Sequence, residues 1–251
     1  MSNSQSAVIA GELKHVSASQ ISTFKLCNRK WWFDKVANEP REESPAMARG
    51  ERTHTMAEKF YTEEKPIEPS TIEAQSLIKL LADPLVPRPG PYVLIEQPRN
   101  FQMGIKLADI PVKGKIDLLD ATRSRIAIWD WKTCGSFGTV KKIQDLFTDA
   151  QMVIYAMFSF INFDCKRVTL THGNIRTKGK PAYSIVQTPP VNRGHFAKEF
   201  DMVAKVVEEM KETAKIPEST QVKPNWHACT AYGGCRYSPK CKFSFKTESA
   251  T

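Results

Sequence analysis

Residues recur at helical spacing from residue 18 to 36, where Ile21, Phe24, Cys27 or Asn28, and Trp31 fall about one turn apart. Ser17 followed by Gln20 has the form of a capping box, so the pattern predicts a first helix over 18–36. Residues 38–45 are acidic and contain proline, hence a loop. Good helix formers over 46–61 predict a second helix, with Gly50 and His54 one turn apart on one face. A third helix over 71–81 stops at Asp83-Pro84 and the turn-rich run Pro87-Arg88-Pro89-Gly90-Pro91. The period then becomes extended, giving strands over 92–97, 100–107, 110–120 and 125–132. Four strands in succession predict a meander, with 121–124 as a hairpin turn. A long helix over 143–163, two strands over 167–175 and 182–187, and a helix over 191–215 carrying Phe196, Phe200, Val203, Val207 and Met210 complete the pattern. The reading is one α/β domain over 17–251, with helices around a mixed central sheet. Residues 1–16 are expected as a flexible leader, and the tail closes in a cysteine-rich region over 226–243.

Composition narrows the class. In 251 residues, 41% hydrophobic content is enough for a sizeable core, while 25% charged and 10% aromatic residues exclude a disordered chain, a collagen and a coiled-coil rod. No apolar run approaches the ~20 residues of a membrane span. The longest, 152–163, is interrupted by Tyr155, Ser159 and Asn162 and reads as a buried helix. Residues 1–14 lack the basic and apolar regions of a secretory signal, so the expected location is the cytoplasm, or a host's cytoplasm for a phage-encoded chain. Thirty-six Lys and Arg against 27 Asp and Glu give +9, which favours a polyanionic partner, with nucleic acid leading.

The stretch richest in chemistry is Gly114-Lys115-Ile116-Asp117 followed by Asp130-Trp131-Lys132. On a strand, Asp130 and Lys132 point to one side and Trp129 and Trp131 to the other. With Asp117 on a paired strand, two carboxylates could share a hard divalent cation such as Mg²⁺, and Lys132 could orient an attacking water or stabilise charge on phosphate. The bland alternative is a surface hairpin with an ordinary cross-strand charge pair. An Asp inside the apolar run 126–131 and a Lys directly after it argue for a site, because a buried charge is costly unless paired or used. Gln151 and Tyr155 lie four apart and share a helix face; taken alone they read as a solvated Gln and a half-buried Tyr. Taken alone, His54 reads as a satisfied structural histidine. Cys229, Cys235 and Cys241 recur with five residues between neighbours, and in a reducing compartment such clustering favours metal or iron–sulfur ligation over disulfides. Cys134 and Cys165 read as plain buried or free thiols.

Six features, in this order, resemble the RecB-like, Cas4-like branch of the PD-(D/E)XK nuclease superfamily. They are the Cys27-x-x-Lys30-Trp31-Trp32-Phe33 core of the first helix, Gly50-x-x-x-His54, Gly114-x-x-Asp117, Asp130-x-Lys132, Gln151-x-x-x-Tyr155 and the C-terminal cysteines. The resemblance implies a restriction-endonuclease-like α/β fold. It implies that His54, Asp117 and Asp130 hold Mg²⁺ or Mn²⁺ together with the main-chain carbonyl of Trp131, and that Lys132 assists the attacking water. Gln151 and Tyr155 would help position DNA and the site. Glu96 resembles an acidic position near the site in some relatives; its plainer reading is an edge-strand surface charge. The resemblance further implies that Cys27, Cys229, Cys235 and Cys241 ligate a [4Fe–4S] cluster stapling the N-terminal helix to the C-terminal tail. The spacing here is wider than the Cys-x-x-Cys start of the usual C-terminal set, and four thiolates also suit a tetrahedral Zn²⁺.

The implied activity is that of a metal-dependent deoxyribonuclease, an exonuclease hydrolysing phosphodiester bonds at DNA ends or in single strands in recombination, repair, or CRISPR or phage DNA processing. Trp31, Trp32, Trp131 and Tyr237 are candidates for stacking on unpaired bases, against the plainer reading that they are core. No Gly-x-x-x-x-Gly-Lys-Ser/Thr loop occurs, so a helicase, annealing protein or CRISPR adaptation protein would be a separate partner. The alternative is a non-catalytic nucleic-acid-binding or assembly module that retains the fold. Redox sensing through a cluster is compatible with either.

Overall fold

A computed structural model describes residues 6–40, 44–121, 125–230 and 234–241. These form two compact units, one of Met1–Arg41, Gly104–Lys113 and Asp201–Thr251, the other of Glu42–Met103 and Gly114–Phe200.

The second unit is built on a five-stranded sheet. In chain order the strands of the whole protein are β1 (Val8–Ile9), β2 (Glu12–Leu13), β3 (Val93–Gln97), β4 (Gln102–Leu107), β5 (Ile110–Lys113), β6 (Ile116–Asp120), β7 (Arg125–Cys134), β8 (Arg167–Arg176) and β9 (Tyr183–Gln187). The central sheet has the order β3-β6-β7-β8-β9. Only the β7–β8 pair is parallel, from Arg125↔Arg167 to Cys134↔Arg176. That connection needs a crossover, which the helices between β7 and β8 supply. The expected meander is therefore corrected: β4 and β5 leave the series and pair with each other. The reason is local, because the extended run over 110–120 is interrupted at Gly114-Lys115, where the Gly114 N–H turns to the Phe101 carbonyl. The antiparallel β6–β7 pair agrees with the expected hairpin; of its turn, residues 122–124 lie outside the described residues.

Helices α3 (Pro45–Thr62) and α4 (Ile72–Leu81) cover one sheet face. Ala57 and Tyr61 from α3 and Leu77, Leu80 and Leu81 from α4 pack with Leu118, Trp129 and Trp131 from the strands. Alternation along β7 then turns Asp130 to the opposite face, where α6 (Ala150–Asn162) meets it through Gln151. The single helix expected over 143–163 is two, α5 (Ile143–Thr148) and α6, because Asp149 leaves the helical region and caps α6 by accepting from the Met152 N–H at 3.0 Å.

The first unit contains α1 (Ala18–Leu26), α2 (Asn28–Lys35) and most of α7 (Ala197–Ala214). The helix expected over 18–36 breaks at Cys27, whose φ of −164° and ψ of 116° are extended. Within the stretch expected as a flexible leader, residues from Ser6 onward are ordered: β1 pairs with β2, and Val16 bridges to Val112. Strands of two residues are too short for period-two alternation to register in sequence, yet Val8, Leu13 and Val16 are buried. Among the described residues, no helix is long and apolar enough to cross a membrane.

Candidate active site

Strands β6 and β7 pair only from Asp120↔Ala127 to Leu118↔Trp129 and then part. Asp117 and Asp130 are the next residues on either side of the parting. The Trp131 N–H, which would otherwise continue the ladder, donates instead to Asp117 Oδ2 at 2.7 Å. The sheet thus opens where the two carboxylates stand, and both are buried, Asp130 with 1% of its surface exposed.

One group of ligand atoms converges beside this opening. Among the described residues, His54, Glu96 and Asp117 bring a ring nitrogen and two carboxylate oxygens within 4.8 Å of one another. His54 reaches in from α3, its Nδ1 3.2 Å from Asp117 Oδ1. Glu96 is carried on a backbone with φ of +54° near the end of β3, and its Oε2 lies 3.1 Å from Lys115 Nζ. Asp130 does not join this group. Its Oδ1 accepts from Gln151 Nε2 at 2.9 Å and its Oδ2 lies 2.5 Å from Lys132 Nζ.

Lys132, Gln151 and Tyr155 form a continuous hydrogen-bond chain. Lys132 Nζ donates to Gln151 Oε1 at 2.8 Å, the Gln151 amide also donates to the Tyr155 hydroxyl at 2.8 Å, and that hydroxyl donates to the Lys115 carbonyl at 2.5 Å. The Gln151 amide is thus satisfied at both ends, and its orientation is set by its neighbours.

The electrostatics follow from crowding two carboxylates in a dry place. Burial, then the charge of Asp130, pushes the Asp117 carboxyl above its ordinary value, against the opposing pull of His54 and the Trp131 N–H. Burial alone would lower His54, but the hydrogen bond and charge of Asp117 raise it above the ordinary histidine value. Lys132 is likewise raised despite burial, by the charge and contact of Asp130, and is an ammonium. Tyr155 is pushed well up by burial and by both aspartates, which keeps it a neutral phenol that can donate. A divalent cation suits this set, since hard oxygen donors with one imidazole match Mg²⁺ or Mn²⁺, and the repulsion between the two carboxylates is what a cation would relieve.

The family model of the PD-(D/E)XK nuclease superfamily matches residues 15–242. The chain belongs to this superfamily. Its mixed sheet flanked by helices fits that assignment. Among solved structures, a protein of Eubacterium rectale provisionally named an exonuclease matches at 15% identity over 84% of each chain, with a TM-score of 0.50, a likeness of fold. The structure of SSO0001 matches at 12% identity over 91% of this chain and 86% of its own, with a TM-score of 0.46, too low to add to the argument. No curated protein matches the chain in sequence.

Relative to this superfamily reading, the structure brings together His54 and Asp117, and separately Asp130, Lys132, Gln151 and Tyr155. Glu96, the weakest of the sequence candidates, stands in the ligand group. Two residues had no place in the sequence reading. His172 on β8 lies in register with Asp130 across the parallel pair, with Nε2 3.7 Å from Asp130 Oδ2 and no hydrogen-bond partner among the described residues. Burial, with the Lys132 charge, lowers it to about 4, so it is neutral. Its only signal in sequence is a histidine inside an apolar strand. Lys115 bridges Glu96 and the Tyr155 hydroxyl, by its side chain and its carbonyl respectively.

The four candidate cysteines, Cys27, Cys229, Cys235 and Cys241, all lie in the first unit. Cys27 Sγ accepts from the Asn225 N–H at 3.4 Å, the Cys229 thiol reaches the Asn225 carbonyl at 3.9 Å, and the Cys235 N–H donates to the Cys229 carbonyl at 2.8 Å. Cys241 Sγ lies 3.8 Å from Arg29 Nη1. The α1–α2 junction and the tail are thus held against each other, and buried Arg29 and Trp32 reinforce this by donating to the Val222 and Ile216 carbonyls at 2.9 and 2.8 Å. Among the described residues, no three thiols come within 4.8 Å of one another. A tetrahedral zinc site requires such spacing, with sulfurs about 4 Å apart around a metal at ~2.3 Å, whereas a four-iron cluster spreads its thiolates wider.

Proposed function

We propose that this protein is a metal-dependent deoxyribonuclease that hydrolyses phosphodiester bonds, acting as an exonuclease on DNA ends or single strands. The observation that carries the reading is the buried pair Asp117 and Asp130 at the parting of β6 and β7, with His54 and Glu96 gathered on one carboxylate and Lys132 on the other. His54, Glu96 and Asp117 would hold the ion, with the Trp131 carbonyl and a remaining lone pair of Asp130, which stands outside that group in this structure, completing its protein ligands. When bound, Mg²⁺ or Mn²⁺ would supply Lewis acidity at a phosphoryl oxygen and lower the pKa of water.

The chain's own residues supply the rest. Lys132 presents a fixed ammonium that can orient a water and stabilise negative charge growing on the phosphate. Gln151 and Tyr155 are positioning residues. The amide fixes both Lys132 and Asp130, and the phenol ties the amide to the Lys115 carbonyl. Burial of Asp130 and Tyr155 shields their contacts from competing water and strengthens them, while the Lys132 side chain keeps 36% of its surface open to solvent.

We further propose that Cys27, Cys229, Cys235 and Cys241 ligate a [4Fe–4S] cluster that fixes the tail to the α1–α2 junction. Anaerobically purified protein containing iron and acid-labile sulfide in equal amounts would support it; zinc in stoichiometric amount would replace it with the tetrahedral alternative. DNA is the expected partner, in the cytoplasm, with any helicase or CRISPR adaptation protein a separate chain.

The deciding test of the nuclease reading compares wild type with Asp130→Ala on end-labelled linear single- and double-stranded DNA, with Mg²⁺, Mn²⁺ or chelator. Metal-dependent cleavage lost in Asp130→Ala supports the reading, and mononucleotide products support the exonuclease mode. DNA binding without cleavage in wild type would overturn it in favour of a binding module.

A further inference from the structure

Phe101 is a large aromatic residue that the fold leaves 52% exposed. Its backbone has a φ of +62°, a region that a bulky L-residue rarely adopts and that persists only where the surroundings enforce it. They do so from both sides. The Phe101 N–H donates to the Pro98 carbonyl and the Phe101 carbonyl accepts from the Gly114 N–H, each at 3.0 Å. The backbone that carries the ring is therefore held at a fixed place, although the ring itself is half exposed.

Its place is beside the ligand group. Lys115 Nζ lies 4.3 Å from the centre of the Phe101 ring and 3.1 Å from Glu96 Oε2. Glu96 in turn belongs to the group with His54 and Asp117. From the ligand group outward the order is carboxylate, ammonium, aromatic ring. A nucleotide presents matching chemistry, with a phosphate at the metal and a flat base extending from it. Every base has a π-face, so an exposed ring next to a positive charge recognises an unpaired base without reading its identity.

Resting on the nuclease reading of the same site, we infer that Phe101 forms a nucleobase subsite: the ring face away from Lys115 stacks on an unpaired base of the strand being cut, and Lys115 neutralises the phosphate beside it. The subsite selects single strands or frayed ends, because a base stacked in a duplex cannot also stack on Phe101. None of the tryptophans considered from sequence offers this. Trp31, Trp32 and Trp131 are buried, with 0%, 8% and 2% of their surfaces exposed.

The test uses oligonucleotides that carry a single abasic residue at successive positions from the end. In Phe101→Ala, kcat/KM on intact single strands is expected to fall roughly ten- to a hundredfold, the range that loss of one base–aromatic stack produces. The loss is expected to shrink to little or nothing on the one oligonucleotide whose abasic residue meets the subsite. Phe101→Trp should restore activity and Phe101→Leu should not, which separates stacking from mere apolar filling. Equal effects of Phe101→Ala on intact and on every abasic strand would overturn the inference, as would full rescue by leucine. The same strands, measured by fluorescence anisotropy in chelator, keep the subsite testable if wild type does not cleave. Weaker binding of the abasic strand by wild type but not by Phe101→Ala would support the subsite even where the nuclease reading fails.

Discussion

Asp130 illustrates how little freedom a single side chain has in this site, since both carboxylate oxygens are committed to Lys132 and Gln151 while the residue is almost wholly buried. Removing one partner leaves an uncompensated charge, so Lys132→Met should lower kcat by about 10²–10⁴-fold while Mn²⁺ binding persists. Glu96→Gln should do the reverse, raising the Mn²⁺ concentration needed for half-maximal activity more than it lowers kcat, as metal titrations of the two variants would show. Gly173 is constrained by space: a Cβ there would stand 2.7 Å from Trp131 Cε3 and 3.0 Å from Leu80 Cδ2. Gly173→Ala should therefore destabilise the protein by about 1–3 kcal/mol in urea unfolding and displace the backbone next to Asp130. His172 offers a pH prediction with a definite sign. Its native pKa is lowered to about 4 while the unfolded value is about 6.5, so it favours the folded state fully above pH ~6.5 and that contribution is lost as pH falls toward 4. In chelator, the stability of His172→Asn should fall less steeply between pH 7 and 4.5 than that of wild type, by up to about 3 kcal/mol. Asp117, Asp130 and Lys132 stand out in sequence because charges interrupt an apolar run. Glu96 enters only through the resemblance and His172 not at all, because a left-handed backbone residue brings one to the site and a parallel neighbour strand brings the other.

Elements are set by where regular structure stops. β6 and β7 part at Asp117 and Asp130, and the freed Trp131 N–H becomes a ligand of the carboxylate. The hydrophobic periods located β7 well, and also α3, α4 and the strands that became β8 and β9, but ran β5 and β6 together. Periodicity failed at interruptions. Cys27 and Asp149 each divide a run that reads as continuous, since a cap residue need not break the apolar spacing. In the first unit the tail has little regular structure and is held by side chains. Arg29, 2% exposed, donates through Nε at 2.9 Å and Nη2 at 2.6 Å to the Val222 carbonyl, and through Nη2 at 3.1 Å to that of Thr220. Arg29→Ala leaves these carbonyls unsatisfied and should cost about 2–4 kcal/mol, read as a lower urea midpoint and earlier proteolysis of the tail. Arg29→Lys should recover only part of this, because a point charge cannot reproduce the fork.

At the scale of the whole molecule, the charge of +9 belongs to binding and not to fold. If single-stranded DNA engages about three phosphates, KM should rise with salt with a log–log slope of about 2, on the order of tenfold between 50 and 200 mM. A flat salt dependence would separate the positive surface from substrate binding. The sequence by itself determined the composition of the site, because paired carboxylates and a lysine in apolar strands are costly unless used, and local periodicity is written in neighbouring residues. The tertiary structure alone decided which carboxylate meets which partner. Strand order, register and the parting of β6 from β7 are set by contacts between residues far apart in the chain, and these join Glu96 to His54 and Asp117 and set Asp130 against Lys132 and Gln151.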